Sequence, residues 1–163
     1  MTVELVPVDE RMLERLIVVA VTEAAADDVV PPLDDAGGWN ENRLVWLRQY
    51  HRDCRAGLDG PAGQATFAVL DDGHVVGSVR LALTADPREL ETGMWLARSA
   101  RGRGIGAEAL SAVAEIARSR ADAVVLWLTE DQEDARRELE RVGADLGRPD
   151  ADGILRATLR VAS

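Results

Sequence analysis

The chain has 163 residues, 47% of them hydrophobic, which is enough for one well-buried domain, so a single domain over residues 1–163 is expected. Twenty-nine acidic against nineteen basic residues leave a formal charge of −10, a field that repels the phosphates of nucleic acids and of anionic membranes and favours a cationic partner. The single cysteine, Cys54, excludes an internal disulfide and no Cys/His spacing fits a metal; the absence of a leader pattern or of a run of ~18 apolar residues argues for a cytoplasmic protein.

Residues 2–8 alternate in polarity and are closed by Pro7 and Asp9, which predicts a first strand with Asp9 as a helix N-cap. Met12, Leu13, Leu16, Ile17, Ala20 and Val21 recur at helical spacing, so a helix over about residues 10–25 should bury one face against a sheet. Asp27-Asp28-Val29-Val30-Pro31-Pro32 breaks it. An acidic, glycine-rich loop over residues 34–38 leads through Trp39 and Asn40 into a second helix, with Leu44, Val45 and Leu47 on its apolar face and Cys54 as an extension. Residues 57–63 form a turn-rich linker. Residues 65–70 and 74–83 then flank Asp71-Asp72-Gly73 as an antiparallel hairpin, with His74 a surface residue beside the turn.

Residues 90–97 read as the next strand, and 123–129 as a central strand covered on both faces, parallel to its predecessor through a right-handed crossover. Between them lie three alternate glycines, Gly102, Gly104 and Gly106, and an alanine-rich helical pattern over residues 108–119. Residues 133–142 form a charged helix capped by Gly143, and Leu155, Ala157, Leu159 and Val161 alternate with polar residues as an edge or near-edge strand. With an optional short strand at residues 144–146, the order is β-α-α-β-β-β-α-β-α-β, an α/β class with a mixed, mostly antiparallel sheet and helices on both sides.

The glycine turn can point several N–H groups at one spot, at the positive end of the following helix, which makes it an anion site and most naturally a phosphate site. Gly102-x-Gly104-x-x-Ala107, with Glu130 further on, fits the dinucleotide fingerprint. Against that reading, Arg98-Ser99-Ala100-Arg101 separates the strand from the glycines, and too little chain follows for further βαβ units. Arg101-Gly102-Arg103-Gly104-Ile105-Gly106 also matches, in full, the Arg/Gln-x-x-Gly-x-Gly/Ala loop of the GNAT superfamily of N-acyltransferases. Glu91-Thr92-Gly93-Met94-Trp95-Leu96 resembles the fourth strand of its ribosomal-protein acetyltransferases, and residues 136–143 resemble the helix and glycine that close the fold. The resemblance spans residues 65–144, about half of the chain.

That resemblance implies acetyl-CoA as cofactor, with pantetheine lying between splayed fourth and fifth strands. The implied contacts are Leu96, Ala97 and Arg98 at the strand end, Arg101, Gly102, Arg103, Gly104, Ile105, Gly106 and Ala107 in the loop, and Gln132, which stands where the family often has asparagine. It makes Glu91 the base for the incoming amine, although an exposed glutamate near a strand start can equally be solvated. Strand alternation puts Glu89, Glu91, Gly93 and Trp95 on one side. Leu139 replaces the tyrosine that often protonates the thiolate, and the only tyrosine, Tyr50, is distant in sequence. The first interhelical segment would face the acceptor, with Asp34, Asp35 and Trp39 as substrate contacts; the alternative is a solvated acidic loop with Trp39 packed as a lid. The implied function is acetyl transfer to a small cationic amine of aminoglycoside-like or polyamine-like kind. A protein or peptide N-terminus, or acyl-CoA binding without turnover, are the alternatives, and the partner set leaves room for a homodimer.

Overall fold

A computed structural model describes residues 1–33 and 37–161. In chain order the elements are β1 (Val3–Pro7), α1 (Glu10–Glu23), α2 (Ala26–Val29), α3 (Glu41–Asp53), β2 (Gln64–Asp71), β3 (His74–Leu83) and β4 (Glu89–Leu96), then a single 3-10 turn (Arg98–Ala100), α4 (Ile105–Ala117), β5 (Ala123–Thr129), α5 (Glu133–Arg141), β6 (Asp145–Leu146) and β7 (Ile154–Arg160). The seven strands form one sheet in the order β1-β2-β3-β4-β5-β7-β6. Among the described residues only the β4–β5 pair is parallel, as the crossover through α4 requires.

Local chemistry sets the ends of the elements. The Asp9 carboxylate accepts from the Met12 N–H at 2.8 Å and starts α1. Asn40 does the same for α3 through the Arg43 N–H at 2.9 Å. Asp72 and Gly73 both take positive φ, 50° and 84°, the turn geometry that matches the twist of a two-residue hairpin. α4 starts at Ile105, three residues before the expected start, so that Gly106 lies in its first turn, and the unexpected single turn α2 overlaps the break at residues 27–32.

Alternation along the strands splits the core into two layers. Val69, Val79, Leu90 and Val124 pack against Ile105, Ala109, Val113 and Ala117 of α4. Ala68 and Leu70 pack against Leu13, Leu16 and Ile17 of α1 and Leu47 of α3 on the opposite face. Alanines on α4 let that helix approach closely, while the leucines and isoleucine of α1 each contribute about 1.5–3 kcal/mol through burial.

Two expectations are corrected. Val45 is 60% exposed, because α3 is rotated to bury Arg43, Leu47 and His51 instead. Arg43 is held by an ion pair to Asp27 at 2.8 Å, and His51 by a hydrogen bond between Nδ1 and Thr66 Oγ1 at 2.9 Å. On β5, Val124 and Leu128 join the apolar clusters, whereas Trp127 on the other face is 54% exposed beneath the Arg156 guanidinium.

The buried histidine makes stability depend on pH. Burial lowers the His51 pKa from 6.5 to about 4, so the folded state binds the proton less readily than the unfolded chain. Its contribution is complete above pH 6.5 and is lost as pH falls towards 4, by about 3 kcal/mol for that shift. Chemical denaturation across this window should show the loss in the wild type and a smaller slope in His51→Asn. Equal slopes would mean that His51 titrates normally in the folded protein.

The arrangement that positions a site is the parting of β4 from β5. β4 pairs with β3 along its length, from Leu90↔Leu83 to Leu96↔Gly77. It pairs with β5 only from Glu89↔Ala123 to Glu91↔Val125. Beyond Glu91 the two strands separate, and the gap opens directly below the glycine turn.

Candidate active site

Two clefts meet along β4. The first, about 530 Å³, lies between β4 and β5 under the glycine turn and α5; Met94, Leu96, Arg101, Gly102, Gly106, Leu126, Gln132, Glu138 and Leu139 line it. The second, about 690 Å³, lies between α3 and the β3–β4 face, lined by Trp46, Tyr50, His51, Gln64, Thr66 and Ala82 among others. Asp28, Arg80, Glu91, Gly93, Met94 and Trp95 border both. A group passed from one cleft to the other would therefore cross at Glu91 and its neighbours.

The backbone at the end of β4 divides between these surfaces. The Ala97 N–H donates to the Val76 carbonyl at 2.8 Å, and Ala97 is buried, so it is not a free donor; this corrects the pairing of Leu96 with Ala97. Ladder alternation sends the Leu96 N–H the other way, into the gap. The Leu96 carbonyl accepts from Arg101 Nε at 3.1 Å, which fixes the turn onto the strand end.

In the turn itself, Gly102 and Gly104 have φ of 73° and 83°, conformations that side-chain-bearing residues rarely adopt. Gly104 is the N-cap of α4, with no side-chain cap, so the first-turn N–H groups of that helix depend on an outside acceptor. One such acceptor is visible. Glu138 Oε2 of α5 takes the Ala107 N–H at 3.0 Å, and Arg141 Nη1 stands 3.7 Å from the same oxygen. A carboxylate thus rests on this N–H, the placement that the positive end of a helix favours.

The arginines separate by role. Arg101 lines the first cleft, with Asp28 3.7 Å from its Nη2. Arg103 turns away to Asp71 at 3.0 Å, and Arg98 Nε donates to the Glu23 carbonyl at 3.3 Å. Neither side chain borders the cleft, so the cofactor contacts expected of Arg98 and Arg103 do not come from their side chains here; each has a structural acceptor within reach. Ile105 is fully buried, so only its backbone belongs to the turn surface. Gln132 does border the cleft; its Oε1 accepts the Thr129 N–H at 2.8 Å, which leaves the side-chain amide as a donor.

Glu91 borders both clefts and pairs with Arg80, Nη2 to Oε1 at 2.7 Å. The arginine lies across Gly93, where an added Cβ would sit 3.0 Å from Nε. A side chain at residue 93 would press on the Arg80 guanidinium, which would have to give by a few tenths of an ångström.

In the segment that the resemblance would put against the acceptor, Trp39 gives its indole N–H to the Ala24 carbonyl at 3.0 Å and packs against the α1–α3 core. It borders neither of these clefts and packs as a lid on the core, the alternative that the sequence offered. Asp34 and Asp35 lie outside the described residues. Sequence reasoning passed over Trp46, Tyr50, His51 and Arg80. The four-residue spacing of Trp46 and Tyr50 was readable, but Leu44, Val45 and Leu47 drew the apolar face of α3 elsewhere. Leu139 is buried beside the first cleft, and Tyr50 lies in the second with its hydroxyl donating to Gln64 Oε1 at 2.8 Å. Burial raises the Tyr50 phenol well above its ordinary range, so it holds its proton and does not replace the missing tyrosine as an acid.

Comparison with known proteins bears on this geometry. No curated protein sequence matches the chain. The fold is similar to that of RimL, a ribosomal L7/L12 alpha-N-protein acetyltransferase solved with coenzyme A, at 16% identity and TM-score 0.74, covering 99% of this chain and 95% of that one. It is also similar to Mycobacterium smegmatis RimJ with a CoA-disulfide, at 19% identity and TM-score 0.73, covering 97% and 81%. A third is the Campylobacter jejuni N-acetyltransferase PseH with acetyl coenzyme A, at 13% identity and TM-score 0.63, covering 98% and 99%. Residues 33–144, which include the shared wall of the two clefts apart from Asp28 and the whole glycine turn, match the acetyltransferase (GNAT) family. The chain is a member of the GNAT acetyltransferase family.

Proposed function

We propose that this protein transfers an acetyl group from acetyl-CoA, held in the first cleft, to the primary amine of a small cationic molecule held in the second. The observation that carries the reading is the shared border: Glu91, Arg80 and Trp95 face both clefts at the point where β4 leaves β5. Acetyl-CoA supplies an activated acyl group with a thiol leaving group. The chain supplies the rest.

The residues present fit such a ligand. The turn N–H groups around Gly104 and the first turn of α4 take an anion, as the Glu138 carboxylate does in this structure. Arg101 adds a positive charge on that side, the Gln132 amide offers a donor, and the Leu96 N–H is directed at the gap where a carbonyl oxygen can accept it. Glu91 takes the proton of the ammonium, and Arg80 holds its carboxylate in place. Asp28, which borders the second cleft 3.7 Å from Arg101, offers a cationic acceptor one carboxylate besides the Glu91–Arg80 pair.

Acetyl-CoA should therefore raise the melting temperature, and NAD should not. At a hundred times the dissociation constant binding contributes about 2.7 kcal/mol, or roughly 5–10 °C for a domain of this size. A shift with NAD alone would return the glycine turn to the dinucleotide reading.

Because Glu138 already occupies one N–H of the turn, the phosphates have to displace it. Glu138→Ala should tighten acetyl-CoA binding about two- to fivefold, the size of one charge at a helix N-terminus. Fluorescence titration measures it; weaker binding in the variant would mean that the carboxylate supports the site and does not compete for it.

A further inference from the structure

We infer that the second cleft selects a primary amine bearing a single positive charge and a flat uncharged ring, and that Trp46 is the residue that reads the ring. This rests on the acetyl-transfer reading and narrows its acceptor. Trp46 and Tyr50 are one helical turn apart on α3, and their rings stack with centroids 5.0 Å apart at an interplanar angle of 9°. Both line the second cleft, with Trp95 of β4 also on its border. The wall is rigid before any ligand arrives: Tyr50 is tied through its hydroxyl to Gln64 at 2.8 Å, and the adjacent His51 to Thr66 at 2.9 Å, both on β2. A fixed aromatic surface loses little entropy on binding and suits a planar group that can stack in turn.

Charge points to the same ligand. The ionised side chains bordering this cleft are Asp28, Glu91 and Arg80; Glu91 is already paired with Arg80, and Asp28, 3.7 Å from Arg101 Nη2, is the one carboxylate left to meet a cation. Burial keeps the remaining titratable groups, His51 and Tyr50, uncharged at neutral pH. One ammonium can be matched. A second or third ammonium on the same acceptor would lie along uncharged rings without a carboxylate to meet it, at a desolvation cost that the first does not bear.

The test compares 2-phenylethylamine, n-butylamine and spermidine as acceptors for the intact protein. The ring amine should have the highest kcat/KM, about tenfold or more above spermidine. Trp46→Ala should raise its KM about tenfold with kcat nearly unchanged, leave n-butylamine unaffected, and be rescued by Trp46→Phe. Preference for spermidine, or an equal loss on ring and chain amines in Trp46→Ala, overturns the inference. A dipeptide amide beginning with phenylalanine asks whether the ring is presented by a peptide; if the dipeptide amide exceeds 2-phenylethylamine while spermidine stays poor, the ring reading holds and the source is a peptide. If no amine is acetylated, the transfer reading fails separately. Direct titration then decides the cleft: binding of 2-phenylethylamine that is lost in Trp46→Ala supports the inference, and no binding contradicts it.

Discussion

Replacing Gly104 by valine should abolish the stabilisation by acetyl-CoA, removing a melting shift of roughly 5–10 °C. Gly104 has φ of 83°, caps α4, and stands where an added Cβ would meet Arg141 Nη1 at 3.3 Å. A β-branched residue rarely adopts that φ, so the turn must open or shift, and its N–H groups no longer converge. The strain should also cost the ligand-free protein about 1–3 kcal/mol of stability and lower its melting temperature accordingly. Circular dichroism separates the two effects. A folded Gly104→Val protein that still gains the full shift would remove the turn from the binding site.

The second large effect is at Glu91. Glu91→Gln keeps the side-chain shape and an oxygen for Arg80 but cannot accept a proton, so turnover should fall about 10²–10⁴-fold with acetyl-CoA affinity nearly unchanged. Activity should recover in part at high pH, where the amine loses its proton unaided. Full activity at neutral pH would leave Glu91 as a partner of Arg80 only, with the proton lost elsewhere.

How much of this was readable in the sequence follows the range of the interactions. The Asp9 cap, the Asp72-Gly73 turn and the glycine loop are set by residues adjacent in the chain, and the structure has them where the patterns put them. β5 begins and ends at the predicted residues for the same reason. The rotation of α3 was not readable, since its buried face carries Arg43 and His51, whose burial depends on Asp27 and on Thr66 fifteen residues from His51. The site follows the same rule. Backbone at Leu96 and in the glycine turn could be anticipated from strand alternation and loop geometry. The fates of Arg103, Trp39 and the Ala107 N–H could not, because Asp71, Ala24 and Glu138 reach them from other elements. Trp46, Tyr50 and Arg80 were missed because a helix face and a strand diagonal acquire meaning only once α3 is laid against β3 and β4.

The central claim is that the two clefts exchange an acetyl group across Glu91. Incubating the protein with acetyl-CoA and a panel of primary amines, while following free thiol and the mass of each amine, tests it most directly. The expected result is thiol released in step with one acetylated amine, and loss of both signals in Glu91→Gln. Acetyl-CoA that binds and stabilises the protein, yet yields neither thiol nor acetylated amine across the panel, would contradict it and leave a domain that holds acyl-CoA without turning it over.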